Sequence, residues 1–178
     1  MRKAKLILLG SILSLLAIVS MSNAVEQNTL MDITYSDLTK DARKQVDCLA
    51  ENIYHEAGYE PFEGKVAVAQ VTINRAESGS FPSDICQVVY QKNIVYEKVL
   101  CQFSWYCETA SRAKPIHNAA YRESQEVAKK VLLEGFRLPS LENAMYYHAD
   151  YINPKWNKER VAKIGAHIFY SDNPSKGK

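Results

Sequence analysis

The 178-residue chain is 47% hydrophobic and 24% charged, proportions that exclude wholesale disorder and a fibrous repeat. Its length suits one domain and leaves no room for two sizeable cores. Of its 22 Lys and Arg, three (Arg2, Lys3 and Lys5) lie in the first 24 residues, leaving 19 against 20 Asp and Glu in the remainder. That nearly neutral body has no electrostatic footprint for nucleic acid, so this class of function is set aside.

Residues 1–24 read as a secretory signal. The basic start precedes an apolar run from Leu6 to about Val19, and Ser22-Asn23-Ala24 presents small residues where a signal peptidase reads. Gly10, Ser11 and Ser14 thin the run, which falls short of the ~20 apolar residues of a spanning helix. Cleavage after Ala24 is expected, with no membrane span left afterwards and export to a periplasmic or extracellular space. Export decides how the cysteines are read. Cys48, Cys86, Cys101 and Cys107 form an even set in an oxidising compartment, with three pairings possible. The favoured pairs are Cys101–Cys107, closing a small loop, and Cys48–Cys86, tying two helices. Zinc is the competing use, but there is no C-x-x-C and no H-x-x-x-H, and His55, His117, His148 and His167 are scattered. No metal or organic cofactor is expected.

Residues 25–38 are a polar lead-in, 39–172 the folded domain and 173–178 a tail. Ser36 or Thr39 can cap a first helix, whose face carries Ala42, Val46, Leu49, Ile53 and Glu56, with Gly58 placed to end it. A second helix starts at Pro61 and carries Phe62, Val66, Ala69, Ile73 and Ala76. Its Val-rich middle also fits a strand, and Gly64 weakens the helix. Gly79, Ser80 and Pro82 mark a turn before a short helix near Asp84–Gln91. Residues 92–115 are aromatic-rich and give no clear element. A third long helix runs from about Asn118 to Glu134, an ordered loop region spans Pro139 to Pro154, and Ile164 to Tyr170 reads as a short strand. The expected fold is α+β, mainly α: one domain with a minor β element.

Glu56 stands out as a carboxylate on an otherwise apolar stripe, in a last helical turn where the dipole disfavours an anion. Burial and the dipole both raise its pKa, as a general acid working near neutral pH requires. A frayed helix end with Glu56 turned to water is the plainer alternative. Gln70 and Asn74, one turn apart, present two amides on one helix face. Gln102, Phe103, Ser104 and Trp105 concentrate amide and aromatic groups in a loop, and Tyr146, Tyr147 and His148 with Tyr151 and Trp156 form a second cluster. Such groups suit a sugar-binding cleft, or they fill the core. A hydrolytic pair needs a second acid; Glu60, Glu63 and Asp150 are available and none is singled out.

The run Ile53-Tyr54-His55-Glu56-Ala57-Gly58 through Gln70-Val71-Thr72-Ile73-Asn74-Arg75 resembles the opening motif of the bacterial cell-wall hydrolase family that includes the spore-cortex-lytic enzymes. Further matches are Phe81-Pro82, Val88-Val89-Tyr90-Gln91, Gln102-Phe103-Ser104-Trp105, Tyr147-His148-Ala149-Asp150 and Ile164-Gly165-Ala166-His167-Ile168-Phe169-Tyr170. The resemblance implies a compact lysozyme-related domain that cuts peptidoglycan glycan strands as a lytic transglycosylase. Its single catalytic glutamate maps onto Glu56, and Gln102, Phe103, Ser104, Tyr147 and His148 fall in segments that look cleft-lining. Gly58-Tyr59 departs from the family pattern, where glycine more often comes second. The alternatives are a muramidase using the same acid with water, a zinc amidase using some of His117, His148 and His167, and a wall-binding protein without activity.

Overall fold

The computed structural model describes residues 35–108 and 118–172. The expected signal segment, most of the lead-in, His117 and the tail lie outside the described residues. Residues up to Thr39 form one unit, described here only for a 3-10 turn at Tyr35–Asp37, and Lys40–Lys178 form the other.

In the larger unit the first helix, α1, spans Lys40–Ala57 and buries Val46, Leu49, Ala50 and Ile53 completely. The second helix, α2, spans Phe62–Glu77 and is buried without interruption from Gly64 to Arg75. Burial on every side explains why its sequence lacks a clean helical stripe and also fitted a strand. Gly64 has a specific reason to be there. A Cβ at Gly64 would come 2.8 Å from the Glu60 side chain, and one at Gly165 would come 1.8 Å from Glu60 Oε2. Glu60 threads between the two glycines and accepts a hydrogen bond from the Ala166 backbone N–H at 3.1 Å, tying the turn after α1 to a distant hairpin.

Helix α3, Ile85–Val89, is capped by Asp84, whose Oδ1 accepts from Gln87 N at 2.8 Å. The stretch with no clear sequence signal holds a hairpin, β1 (Lys92–Val95) and β2 (Lys98–Cys101), followed by one helical turn, α4 (Ser104–Cys107). Ile94, Val99 and Leu100 are exposed on this hairpin, so it lacks the buried-face alternation by which strands are read. Helix α5, Ala119–Leu132, is capped by Asn118 Oδ1 accepting from Tyr121 N at 2.9 Å. It packs Val127, Ala128 and Val131 toward α1 and α2. The disulfides are the favoured pairs: Cys48–Cys86 joins α1 to α3, and Cys101–Cys107 joins the end of β2 to the end of α4.

Two β assignments need correction. The expected strand from Ile164 to Tyr170 is borne out over His167 to Tyr170, but it is one arm of an antiparallel hairpin, β4 (Glu159–Ile164) and β5 (His167–Ser171), that turns at Gly165 with φ +56°. A third strand, β3 (Tyr146–Ala149), lies in the expected loop region and pairs with β5, giving the order β3-β5-β4. Phe169 of β5, fully buried with Ala67, Val71, Leu141 and Ala144, joins this sheet to α2. No helix among the described residues is long and apolar enough to cross a membrane.

Candidate active site

Glu56 is the penultimate residue of α1, and β3 brings Tyr147 to it. The period-2 alternation of β3 turns Tyr147 toward Phe169 and His167, while Tyr146 and His148 contact Trp156 on the other side. Tyr147 Oη donates to Glu56 Oε2 at 3.0 Å. Burial raises the Glu56 pKa above its ordinary value; the Tyr147 hydrogen bond and the Arg75 charge pull against that rise. The phenol of Tyr147 is itself pushed well above the usual tyrosine range by burial and by Glu56, so it remains a proton-bearing donor.

Two depressions meet at this pair. One, about 250 Å³, is lined by Glu56, Arg75, Gln102, Phe103, Ser104, Tyr146, Tyr147 and Trp156. The other, about 400 Å³, also includes Glu56, Ser104 and Tyr147, and adds His55, Trp105, Glu108, His148, Tyr151 and His167. A titratable acid at the junction of two adjoining hollows is suited to an extended ligand lying across it.

Arg75, which the sequence reading passed over, lies in the first hollow. It is 4% exposed, its Nε donates to Met145 O at 2.8 Å, and its guanidinium lies 5.4 Å from the Phe81 ring centre and 5.2 Å from that of Phe103. The available signal was an arginine in a helix with no solvated face. Trp105 lines the second hollow as part of its wall: 5% exposed, its indole N–H donates to Asn52 Oδ1 at 3.1 Å and its ring stacks on His55 at 4.3 Å. Burial lowers the pKa values of His55 and His167, which favours their neutral forms. Both ring nitrogens of His148 are engaged, by Ala149 O at 2.8 Å and Tyr170 Oη at 2.9 Å.

Gln70 and Asn74 do not line either hollow. Gln70 grips the backbone of Leu138 both ways, Nε2 to its carbonyl at 3.1 Å and Oε1 from its N–H at 2.7 Å. Asn74 Nδ2 donates to Leu141 O and Ala144 O, each at 2.8 Å. Because α2 is central, the face carrying these amides meets chain and not water. They hold the segment that leads into β3, and the substrate-binding role expected of them gives way to this one. Of the spare acids, Glu60 is bonded to Ala166 N and Asp150 pairs with Lys163 at 2.8 Å; with Glu63 they stand outside both hollows.

A model of the cell wall hydrolase family matches residues 59–170. The chain belongs to the cell wall hydrolase family. The matched stretch begins just after Glu56. The chain is 29% identical over 132 residues to the spore cortex-lytic enzyme of Bacillus cereus, covering 72% of this chain and 44% of that protein. It is 26% identical over 132 residues to the spore cortex-lytic enzyme of Bacillus subtilis, covering 72% and 38%. It therefore spans less than half the length of these relatives. Among solved structures it is similar to the catalytic domain of the Bacillus cereus SleB protein, with TM-score 0.54, 25% identity, and 72% and 91% of the two chains covered. It is also similar to the catalytic domain of the germination-specific lytic transglycosylase SleB from Bacillus anthracis, with TM-score 0.55, 26% identity, and 75% and 97% covered. These likenesses bear out the α+β, mainly helical, lysozyme-related fold.

Proposed function

We propose that this protein is an exported enzyme that cleaves peptidoglycan glycan strands as a lytic transglycosylase, with Glu56 acting first as acid and then as base. Glu56 protonates the oxygen linking N-acetylmuramic acid to N-acetylglucosamine as the bond from that oxygen to the muramyl C1 breaks. The muramyl 6-hydroxyl then bonds to C1, and its proton passes to the Glu56 carboxylate. A 1,6-anhydro ring forms, Glu56 is regenerated and no water is consumed. Gln102 and Ser104 hold sugar polar groups, and Trp156 and Tyr146 offer faces to the rings.

The observation that carries this reading is the protonatable Glu56, bonded to Tyr147, at the junction of the two hollows. The naming of the similar Bacillus anthracis domain as a lytic transglycosylase supports this product choice over hydrolysis. One observation favours a second reading: Glu108 lines the second hollow and can serve as the base that activates water in a muramidase. The zinc amidase finds less support, since His148 has both nitrogens engaged.

The test is digestion of purified peptidoglycan, with products identified by mass spectrometry. Anhydro-muramyl ends are expected, lost in Glu56→Gln and kept in Glu108→Gln. Reducing ends lost in both variants would make the protein a muramidase, and free stem peptides would make it an amidase.

A further inference from the structure

Arg75 does more than the proton-transfer chemistry asks of it. Burying a guanidinium is costly unless its donors are used. Among the described residues its one hydrogen bond is from Nε to Met145 O; Nη1 is enclosed without a partner. Among the described residues it makes no ion pair, so the first hollow is lined by a buried cation with no carboxylate bonded to it. The hollow is thus complementary to an acyl oxygen bearing negative or strongly polarised charge. Sugar hydroxyls and the acetamide are neutral acceptors that Gln102 and Ser104 can serve. On a glycan strand the one further acyl group is the lactyl ether of muramic acid, whether a free carboxylate or an amide to a peptide stem.

Resting on the peptidoglycan reading above, we propose that Arg75 is a specificity-determining residue: its guanidinium, where it lines the first hollow, holds the lactyl acyl oxygen, so that muramyl rings are accepted ahead of N-acetylglucosaminyl rings. Phe81 and Phe103 keep the guanidinium in place, and the Nε bond to Met145 O fixes its plane.

Chitin oligosaccharides isolate this contact, because they share the ring, acetamide and 6-hydroxyl and lack only the lactyl group. Binding to the Glu56→Gln protein and cleavage by the wild type are measured for three strands of equal length. These are chitin, an alternating muramyl strand with free lactyl carboxylates, and the same strand with the carboxylates converted to amides. Losing a charge-assisted hydrogen bond weakens an interaction by roughly ten- to a hundredfold, and the muramyl strands are expected to lead chitin by that factor in both measurements. A lead confined to the free acid identifies stripped strands as the form recognised; a lead shared by the amide identifies the carbonyl. In Arg75→Lys and Arg75→Met the lead, read as the ratio of muramyl to chitin, should collapse; whatever both strands lose in common through Glu56 cancels in that ratio. Equal treatment of chitin and muramyl strands by the wild type overturns the assignment with no variant needed. A lead that survives in the variants overturns it too, as does an equal loss on all strands, which would mean that Arg75 only tunes Glu56. Muramyl strands that neither bind nor react would overturn the peptidoglycan reading itself.

Discussion

Replacing Tyr147 with Phe removes one oxygen and leaves the ring against Phe169 and His167. The lost group is the donor on Glu56 Oε2 at 3.0 Å, a bond that favours the ionised carboxyl. Without it burial acts with less opposition, so the Glu56 pKa rises further. A hydrogen bond to a charged group contributes about 1.5–3 kcal/mol, and each 1.36 kcal/mol corresponds to roughly one pKa unit. Water can reach the cleft and replace part of the bond, so the lower end applies: the alkaline limb of kcat/KM should move up by about one pH unit. The ionised Glu56 also becomes harder to form, which slows the first proton transfer on the order of tenfold. The assay is initial rates on solubilised glycan strands across the pH range, with circular dichroism to show that the variant is folded. An alkaline limb that stays put or moves down would refute the reasoning, because Glu56 would then not be the titrating acid or Tyr147 not its donor.

Glu56→Gln should also stabilise the protein in a pH-dependent way. The folded-state pKa of Glu56 is raised, so its favourable contribution is complete below the unfolded value near ~4.3 and is lost as pH rises through the folded one. Thermal melts should therefore be similar near pH 4 and separate at neutral pH, with the Gln form ahead by on the order of 1 kcal/mol; wild type ahead at neutral pH would contradict this. The Cys48–Cys86 bridge spans 38 residues, and replacing both with Ala should cost about 4 kcal/mol by the loop-entropy relation, read from denaturant unfolding under oxidising conditions. Gln70→Ala strands both polar groups of the Leu138 backbone and should cost about 2 kcal/mol or more with KM little changed. A stable Gln70→Ala protein with a raised KM would return Gln70 to the cleft.

The sequence made Glu56 legible because a single acid on an apolar stripe is a local anomaly, visible one helix at a time. The long helices and the disulfide pairs were legible for the same reason: caps, spacing and loop size are short-range signals. Gln70 and Asn74 misled because the pattern that gives two amides a common face cannot say what that face meets. That is decided by Leu138, Leu141 and Ala144, some seventy residues away. β3 was hidden because all four of its residues are partly buried, so no polar-apolar alternation marks them. Arg75 was hidden by the neighbouring α2 residues: only the packing of α1, α5 and the sheet around that helix removes the solvent that an arginine ordinarily reaches.

The two roles proposed for Glu56 make opposite demands on its surroundings. As an acid it must hold its proton to higher pH than an ordinary carboxyl, and burial pushes its pKa in that direction. As a base it must exist as a carboxylate in the same dry place, which burial alone would forbid. The site meets the second demand with Tyr147 and Arg75, which favour the ionised form from two directions. Tyr147 acts at hydrogen-bond range, whereas Arg75 forms no ion pair with Glu56 and acts through space. An arginine in direct contact would hold Glu56 ionised from the start and disable the acid step. The separation therefore suits the proposed chemistry: it leaves the carboxyl pKa raised by burial, favours the carboxylate once formed, and keeps the guanidinium out of a bond with Glu56.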